Sequence, residues 1–202
     1  MIKIGNDINL AKKILDINGL VAIPTETVYG LAGNGTNKEA VNKIFSIKKR
    51  PYEDPLICHT NSFEKILNYT KNIPEVAIKL ADCFWPGPMT LIFEKKNIIP
   101  DITTSNLSTV GFRIPNNTIS LELLHQLEYP LAAPSANIFG YISPTETKHI
   151  TQNFKSGIDY ILDGGKCNLG IESTIIGFLN NIPVIHRLGS LVIEDIKKKL
   201  VK

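Results

Sequence analysis

Arginine is scarce in this chain. Of 202 residues, 22 are Lys or Arg, and only three of these are arginines: Arg50, Arg113 and Arg187. Cysteine is scarce too, with Cys58, Cys83 and Cys167 far apart. An odd number with no CxxC pair is not a disulfide framework and points to a reducing, cytoplasmic setting. The four histidines, His59, His125, His149 and His186, show no HxxxH spacing, so no protein-built metal site is expected. No apolar run approaches the roughly 20 residues of a membrane span. The opening MIKIGNDINLAKK turns polar after four residues, unlike a secretory signal. GxxxxGK[ST], GxGxxG and GxSxG do not occur, which excludes those phosphate, dinucleotide and nucleophile-elbow devices. GNGTNK (Gly33 to Lys38) and GGKCNLG (Gly164 to Gly170) are Gly-rich with the wrong spacing. Charge of one sign is also lacking: the net +3 is too mild to mark a nucleic-acid binder by itself.

What is present is ordinary globular composition, 43% hydrophobic and 20% charged. Such a length suits one domain, 1–202, burying roughly 70% of the surface of the unfolded chain. Helical periodicity is expected over Asp7–Ile17, Asn37–Lys48, Ser62–Tyr69, Pro74–Phe84, Ile119–Leu127, Thr145–Phe154 and Leu191–Val201. Apolar or alternating runs predict strands at Leu20–Ile23, Leu56–Thr60, Met89–Lys95, Thr109–Ile114, Pro130–Ala133, Ile158–Leu162, Ser173–Leu179 and Ile182–Leu188. Asn180 and Asn181 tolerate positive φ, so the last two strands form a hairpin. Helices and strands interleave without strict alternation, which predicts an α/β fold with a mixed sheet rather than a doubly wound parallel one.

Polar segments fall at the predicted strand ends. PTETVYGL (Pro24 to Leu31) offers hydroxyls and a carboxylate just after a buried strand. It also reads as a Pro-initiated turn capped by threonines. SIKKRPYEDPL carries Lys48 and Arg50. If that segment is extended, residues two apart share a face and both heads meet one anion; otherwise it is a basic last turn of a helix. WPGPMTLIF has a rigid turn before a strand, and its lone Trp85 fits the core better than a stacking platform. In STVGFRIP, alternation puts Phe112 and Ile114 on one face and Gly111 and Arg113 on the other. That arginine needs solvent or an anionic partner. APSANIFGYISPT presents Ser135 and Asn137 among small residues. DGGKCNLGIESTII places Ser173 and Thr174 at a strand start, and HRLGS puts Arg187 at a strand end. All three arginines thus sit beside strand ends and turns. The lysine excess fits an AT-rich coding bias, and an arginine kept against that bias suggests a task needing a bidentate fork, such as binding phosphate or carboxylate.

Together PTETVYGL, the K-x-R of Lys48 and Arg50, WPGPMT, VGFRIP, the S-x-N of Ser135 and Asn137, GIESTII and the R-x-G of Arg187 and Gly189 resemble the YrdC-like family, the threonylcarbamoyl-adenylate synthases. The resemblance covers nearly the whole chain, and the motifs keep the family's order. It implies a twisted mixed α/β sheet with flanking helices around a large basic concave pocket. The implied activity joins L-threonine, bicarbonate and ATP into threonylcarbamoyl-adenylate and pyrophosphate, with Mg²⁺ arriving on ATP. A transferase complex would then modify tRNA next to the anticodon, and only weak contact with tRNA itself is implied. By matching motif, Thr27, His59, Arg113 and Ser173 hold threonine, with the Ala133 backbone nearby. Arg50, Asp54, Thr109, Ser135, Ser143 and Arg187 line the ATP side, and Lys48 and Asn137 complete the catalytic set with Arg50 and Ser135. Asp54 departs from the family's usual Asn or Lys, and a carboxylate there repels a triphosphate unless it helps hold Mg²⁺. The chain is also expected to lack the C-terminal extension of longer members. Two other readings are a carbamoyl-adenylate-forming relative, which should carry further domains, and an RNA-binding module, which should bind with strong salt dependence.

Overall fold

The structure, a computed structural model, describes residues 2–200. In chain order the elements are β1 (Lys3–Gly5), α1 (Ile8–Asp16), β2 (Val21–Ile23), β3 (Gly30–Asn34), α2 (Lys38–Lys48), β4 (Ile57–His59), α3 (Phe63–Leu67), β5 (Thr70–Lys71), α4 (Glu75–Phe84) and β6 (Met89–Lys95). A 3₁₀ turn at Asp101–Thr104 follows, then β7 (Thr109–Arg113), α5 (Thr118–His125), β8 (Leu131–Ala132), α6 (Thr147–Asn153), β9 (Tyr160–Leu162), β10 (Thr174–Leu179), β11 (Ile182–Arg187) and α7 (Ile193–Leu200). The expected last helix ran to Val201, which lies outside the described residues.

Asn and Asp side chains start several of these helices. Asp7 accepts from Leu10 N, Asn37 from Glu39 N and Ala40 N, and Asn117 from Ser120 N. Each satisfies amide donors that a first helical turn leaves unpaired.

The sheet order is β1-β9-β2-β3-β8-β4-β7-β6-β10-β11, with β5 pairing the end of β6. β1–β9, β9–β2, β4–β7 and β6–β10 are parallel, and the other pairs are antiparallel. The mixed sheet is therefore as expected. Asn180 and Asn181 sit at φ 50° and 64°, as the expected hairpin turn requires. Three strands were not expected. β3, GLAGN, lacks β-branched residues and is a strand because β2 and β8 pair it on both sides. β1 and β5 are two or three residues long and offer too little pattern to read.

Alternation splits β2, β3 and β9 between two apolar layers. Val21, Ile23, Ala32, Tyr160 and Leu162 pack with Ala11 and Leu15 of α1 and Leu123 and Leu124 of α5. Ala22, Leu31 and Ile161 face the larger layer with Val41, Ile44 and Phe45 of α2. The other half of the sheet alternates differently. Cys58, Met89, Leu91, Phe93, Val110, Phe112 and Ile176 join the larger core. Their in-between neighbours Ile57, Thr90, Ile92, Thr109, Gly111 and Ile175 line an open cleft. One face of β4, β7, β6 and β10 is therefore core, and the opposite face is the floor of that cleft. Among the described residues no helix is long and apolar enough to cross a membrane.

Ile44 is fully buried on α2, the helix that ends at Lys48. Ile44→Ala should cost about 2–5 kcal/mol, read as a lower urea midpoint with an unchanged slope.

Candidate active site

The register of β4 against β7 sets the centre of the cleft. His59 lies directly opposite Arg113 in this parallel pair, so the two side chains sit side by side. Arg113 is 4% exposed and tied on three sides. Its Nε donates to Gly87 O at 3.2 Å, and its Nη1 donates to Thr27 Oγ1 at 2.9 Å. Its Nη2 forms an ion pair at 2.8 Å with Glu26 Oε2, which also accepts from Asn116 N. The ion pair is close but not aligned as a hydrogen bond. Arg113 Nη2 and Glu26 Oε1 thus keep unused bonding capacity among the described residues.

Thr27 is held by its own turn. Thr25 Oγ1 accepts from Thr27 N and Val28 N and lies 2.8 Å from Thr27 Oγ1. The threonine-capped turn read from PTETVYGL is present, and Thr25, Thr27 and Val28 of that same turn line the cleft. His59 is buried and its pKa is pushed down to about 3 by burial and by the neighbouring Arg113. It is a neutral imidazole whose Nδ1 lacks a hydrogen-bond partner among the described residues.

The other two arginines stand across the cleft. Arg50 Nε donates to Asp54 O and Nη2 to Pro55 O, both at 3.0 Å. Its guanidinium also meets Asp54 Oδ2 at 2.9 Å and lies 5.7 Å from the centre of the Phe139 ring. Arg187 donates through Nε and Nη2 to Ser173 O at 3.2 and 3.0 Å. Ser173 Oγ is 2.7 Å from Thr90 Oγ1. The R-x-G motif has a steric reason: a Cβ on Gly189 would lie 2.3 Å from Glu172 O and 2.4 Å from Ser173 C. Only glycine lets that turn pack on the Ser173 backbone.

Burial lowers the pKa of each arginine. Asp54 opposes the shift at Arg50, and Glu172 opposes it at Arg187. Arg187 contributes to the depression at Arg50, and Arg113 to that at Arg187. The guanidiniums remain charged and repel one another, which favours any anion placed among them.

Thr27, Arg50, His59, Arg113, Ala133, Ser135, Ser173 and Arg187 line one cleft. Arg50 and Arg187 also line, with Asp54 and Thr109, the adjoining space floored by the open face of β4, β7, β6 and β10. Thirteen residues were expected at the site, and three of them line neither space. Ser143 donates to Glu172, which does line the cleft. Asn137 is buried, its Nδ2 donating to Ile138 O and Tyr141 O. Lys48 is 1% exposed, and its ammonium donates to Ser135 O and Asn137 O at 2.5 Å each.

Lys48 and Arg50 are also not on an extended segment. α2 runs through Lys48 and ends in a left-handed Lys49 at φ 51°, which sends the two heads into different surroundings. Trp85, expected in the core, is only partly buried at its edge, where its Nε1 donates to Met89 O and its ring lines a separate surface pocket. Glu172 was not foreseen, although it directly precedes Ser173 in the segment already singled out.

The family model Sua5_yciO_yrdC, described as telomere recombination, matches residues 13–189. The chain belongs to the Sua5/YciO/YrdC family. It is 45% identical to the threonylcarbamoyl-AMP synthase of Pyrococcus abyssi over 191 residues, 95% of this chain and 56% of that protein. It is 40% identical to the threonylcarbamoyl-AMP synthase of Bacillus subtilis over 188 residues, 93% of this chain and 54% of that protein. The chain thus spans about half the length of these two relatives. The crystal structure of P. abyssi Sua5 complexed with L-threonine superposes with a TM-score of 0.95 at 42% identity, covering 100% of this chain and 61% of that one.

His59 makes stability depend on pH. Its pKa falls from 6.5 in the open chain to about 3 in the fold. Between these values the unfolded chain takes up a proton that the folded chain refuses, so stability falls as the pH drops below 6.5. The slope approaches about 1.4 kcal/mol per pH unit from this group. Urea unfolding from pH 7 to 4 should show a shallower decline in His59→Asn than in the wild type. Equal slopes would contradict a neutral buried His59.

Proposed function

We propose that this chain makes threonylcarbamoyl-adenylate and pyrophosphate from L-threonine, bicarbonate and ATP. The observation that carries the reading is the convergence of the chain's three arginines on one cleft, beside hydroxyls and a neutral histidine. The two relatives named as threonylcarbamoyl-AMP synthases, and the relative crystallised with L-threonine, support it.

In this reading Thr27, His59, Arg113 and Ser173 hold threonine, with Ala133 against it. Arg113 attracts a carboxylate while Glu26 keeps the guanidinium from being an unpaired buried charge. Neutral His59 adds a polar contact without adding charge beside Arg113. Arg50 and Arg187, with Thr109 and Ser135, take the triphosphate, which relieves their mutual repulsion. Asp54 and Ser143 lie at the margin of that region. Mg²⁺ enters bound to ATP and supplies further charge neutralisation. The described carboxylates at the cleft, Asp54 and Glu172, are already held by Arg50 and Ser143.

The amine of threonine captures bicarbonate as an N-carboxylate with loss of water. That carboxylate attacks the α-phosphorus, and pyrophosphate leaves. The chain's contribution is orientation and charge neutralisation rather than a covalent nucleophile. The product is a reactive mixed anhydride, so a transferase that passes the group to tRNA follows. The free cysteines fit a reducing cytoplasm.

Pyrophosphate release from ATP should require both threonine and bicarbonate. Release supported instead by carbamoyl phosphate, or tight RNA binding without turnover, would overturn the reading. Arg50→Lys keeps the charge but loses the fork that holds Asp54 O and Pro55 O. It should lower kcat/KM about 10- to 100-fold with an unchanged circular dichroism spectrum.

A further inference from the structure

Lys48 is buried behind the cleft, and among the described residues its side chain has no carboxylate partner. Instead its ammonium spans two main-chain carbonyls, of Ser135 and Asn137, at 2.5 Å each. These belong to the segment after β8 that presents Ser135 to the cleft. The same segment returns two contacts to the end of α2. Phe139 N donates to Lys48 O at 2.8 Å, and the Phe139 ring lies against the Arg50 guanidinium. Asn137 closes the loop on itself through Ile138 O and Tyr141 O. Through these contacts Lys48 ties the loop that carries Ser135 to the end of α2, beside the ring that backs Arg50.

We infer that Lys48 is a positioning residue: from behind the cleft it clamps segment 135–139 to the end of α2 and so sets Ser135 and Arg50 relative to each other. It does not touch the reacting groups. The clamp rests on the geometry alone, whereas its consequence for ATP rests on the function proposed above.

Two outcomes test the clamp without any ligand. In Lys48→Met the stem is kept and the ammonium lost, so amide hydrogen exchange should accelerate across 136–141 while β6 and β7 keep their protection. Unchanged exchange in 136–141 overturns the clamp. In the wild type at pH 5, well below the Lys48 pKa of about 7, ¹⁵N-lysine NMR should show a solvent-protected ammonium coupled to the carbonyl carbons of Ser135 and Asn137, distinct from that of Lys65, which donates to Leu124 O and Leu127 O. The absence of such a signal overturns it too, even if Lys48→Met does not fold.

The consequence is read by titrating a non-hydrolysable ATP analogue. Lys48→Met should weaken binding about tenfold. Combined with Ser135→Ala and Phe139→Leu, it should cost little more than those two changes together, because it acts through them. Losses that multiply would mean that Lys48 meets the nucleotide directly, against the inference. A wild type that binds no ATP analogue would overturn the proposed function, while the exchange result would still decide the clamp.

Discussion

A guanidinium shut away from water is stable only with an anion beside it, and Arg113 has Glu26 at 2.8 Å. The two residues come from different parts of the sheet, the end of β7 and the turn between β2 and β3. Their pairing fixes the distance between two walls of the cleft. It also places Arg113 against its neighbours: Thr27 receives an Nη1 hydrogen bond, and His59, opposite in register, is kept neutral by burial first and by the Arg113 charge second. Removing one partner of such a pair strands a buried charge, which costs several kcal/mol. The ion pair is therefore a structural joint, and it holds Arg113 at the cleft wall.

Arg50 and Arg187 solve the opposite problem, staying near each other without collapsing. Each is anchored to backbone carbonyls rather than buried on a carboxylate: Arg50 to those of Asp54 and Pro55, Arg187 to that of Ser173. Carbonyl anchors orient a fork without cancelling its charge. Asp54 adds an ion pair at Arg50, but its carboxylate side is 43% exposed and largely screened by water. The repulsion foreseen for an acidic residue at this position is thus taken up by its own arginine.

Much of this was legible because alternation is a local rule. MTLIFEK and TVGFRIP each state which residues enter the core and which stay open, and the sheet keeps that division. The scarcity of arginine pointed to three positions that the fold gathers into one cleft. Other features depend on contacts far along the chain. β3 is a strand only because its neighbours pair it. The surroundings of Lys48 are set by carbonyls 87 and 89 residues away, so no local pattern reveals that it is buried. The left-handed turn at Lys49 decides between the two readings of Lys48 and Arg50: Lys48 is in the basic last turn of a helix, not on an extended segment with Arg50.

The central claim is that the three arginines form one anion-handling cleft. A crystal structure of the chain with L-threonine and a non-hydrolysable ATP analogue tests it most directly. The account predicts the triphosphate between Arg50 and Arg187, with the amino acid against Thr27, His59, Arg113 and Ser173. A nucleotide bound away from both Arg50 and Arg187 would contradict it.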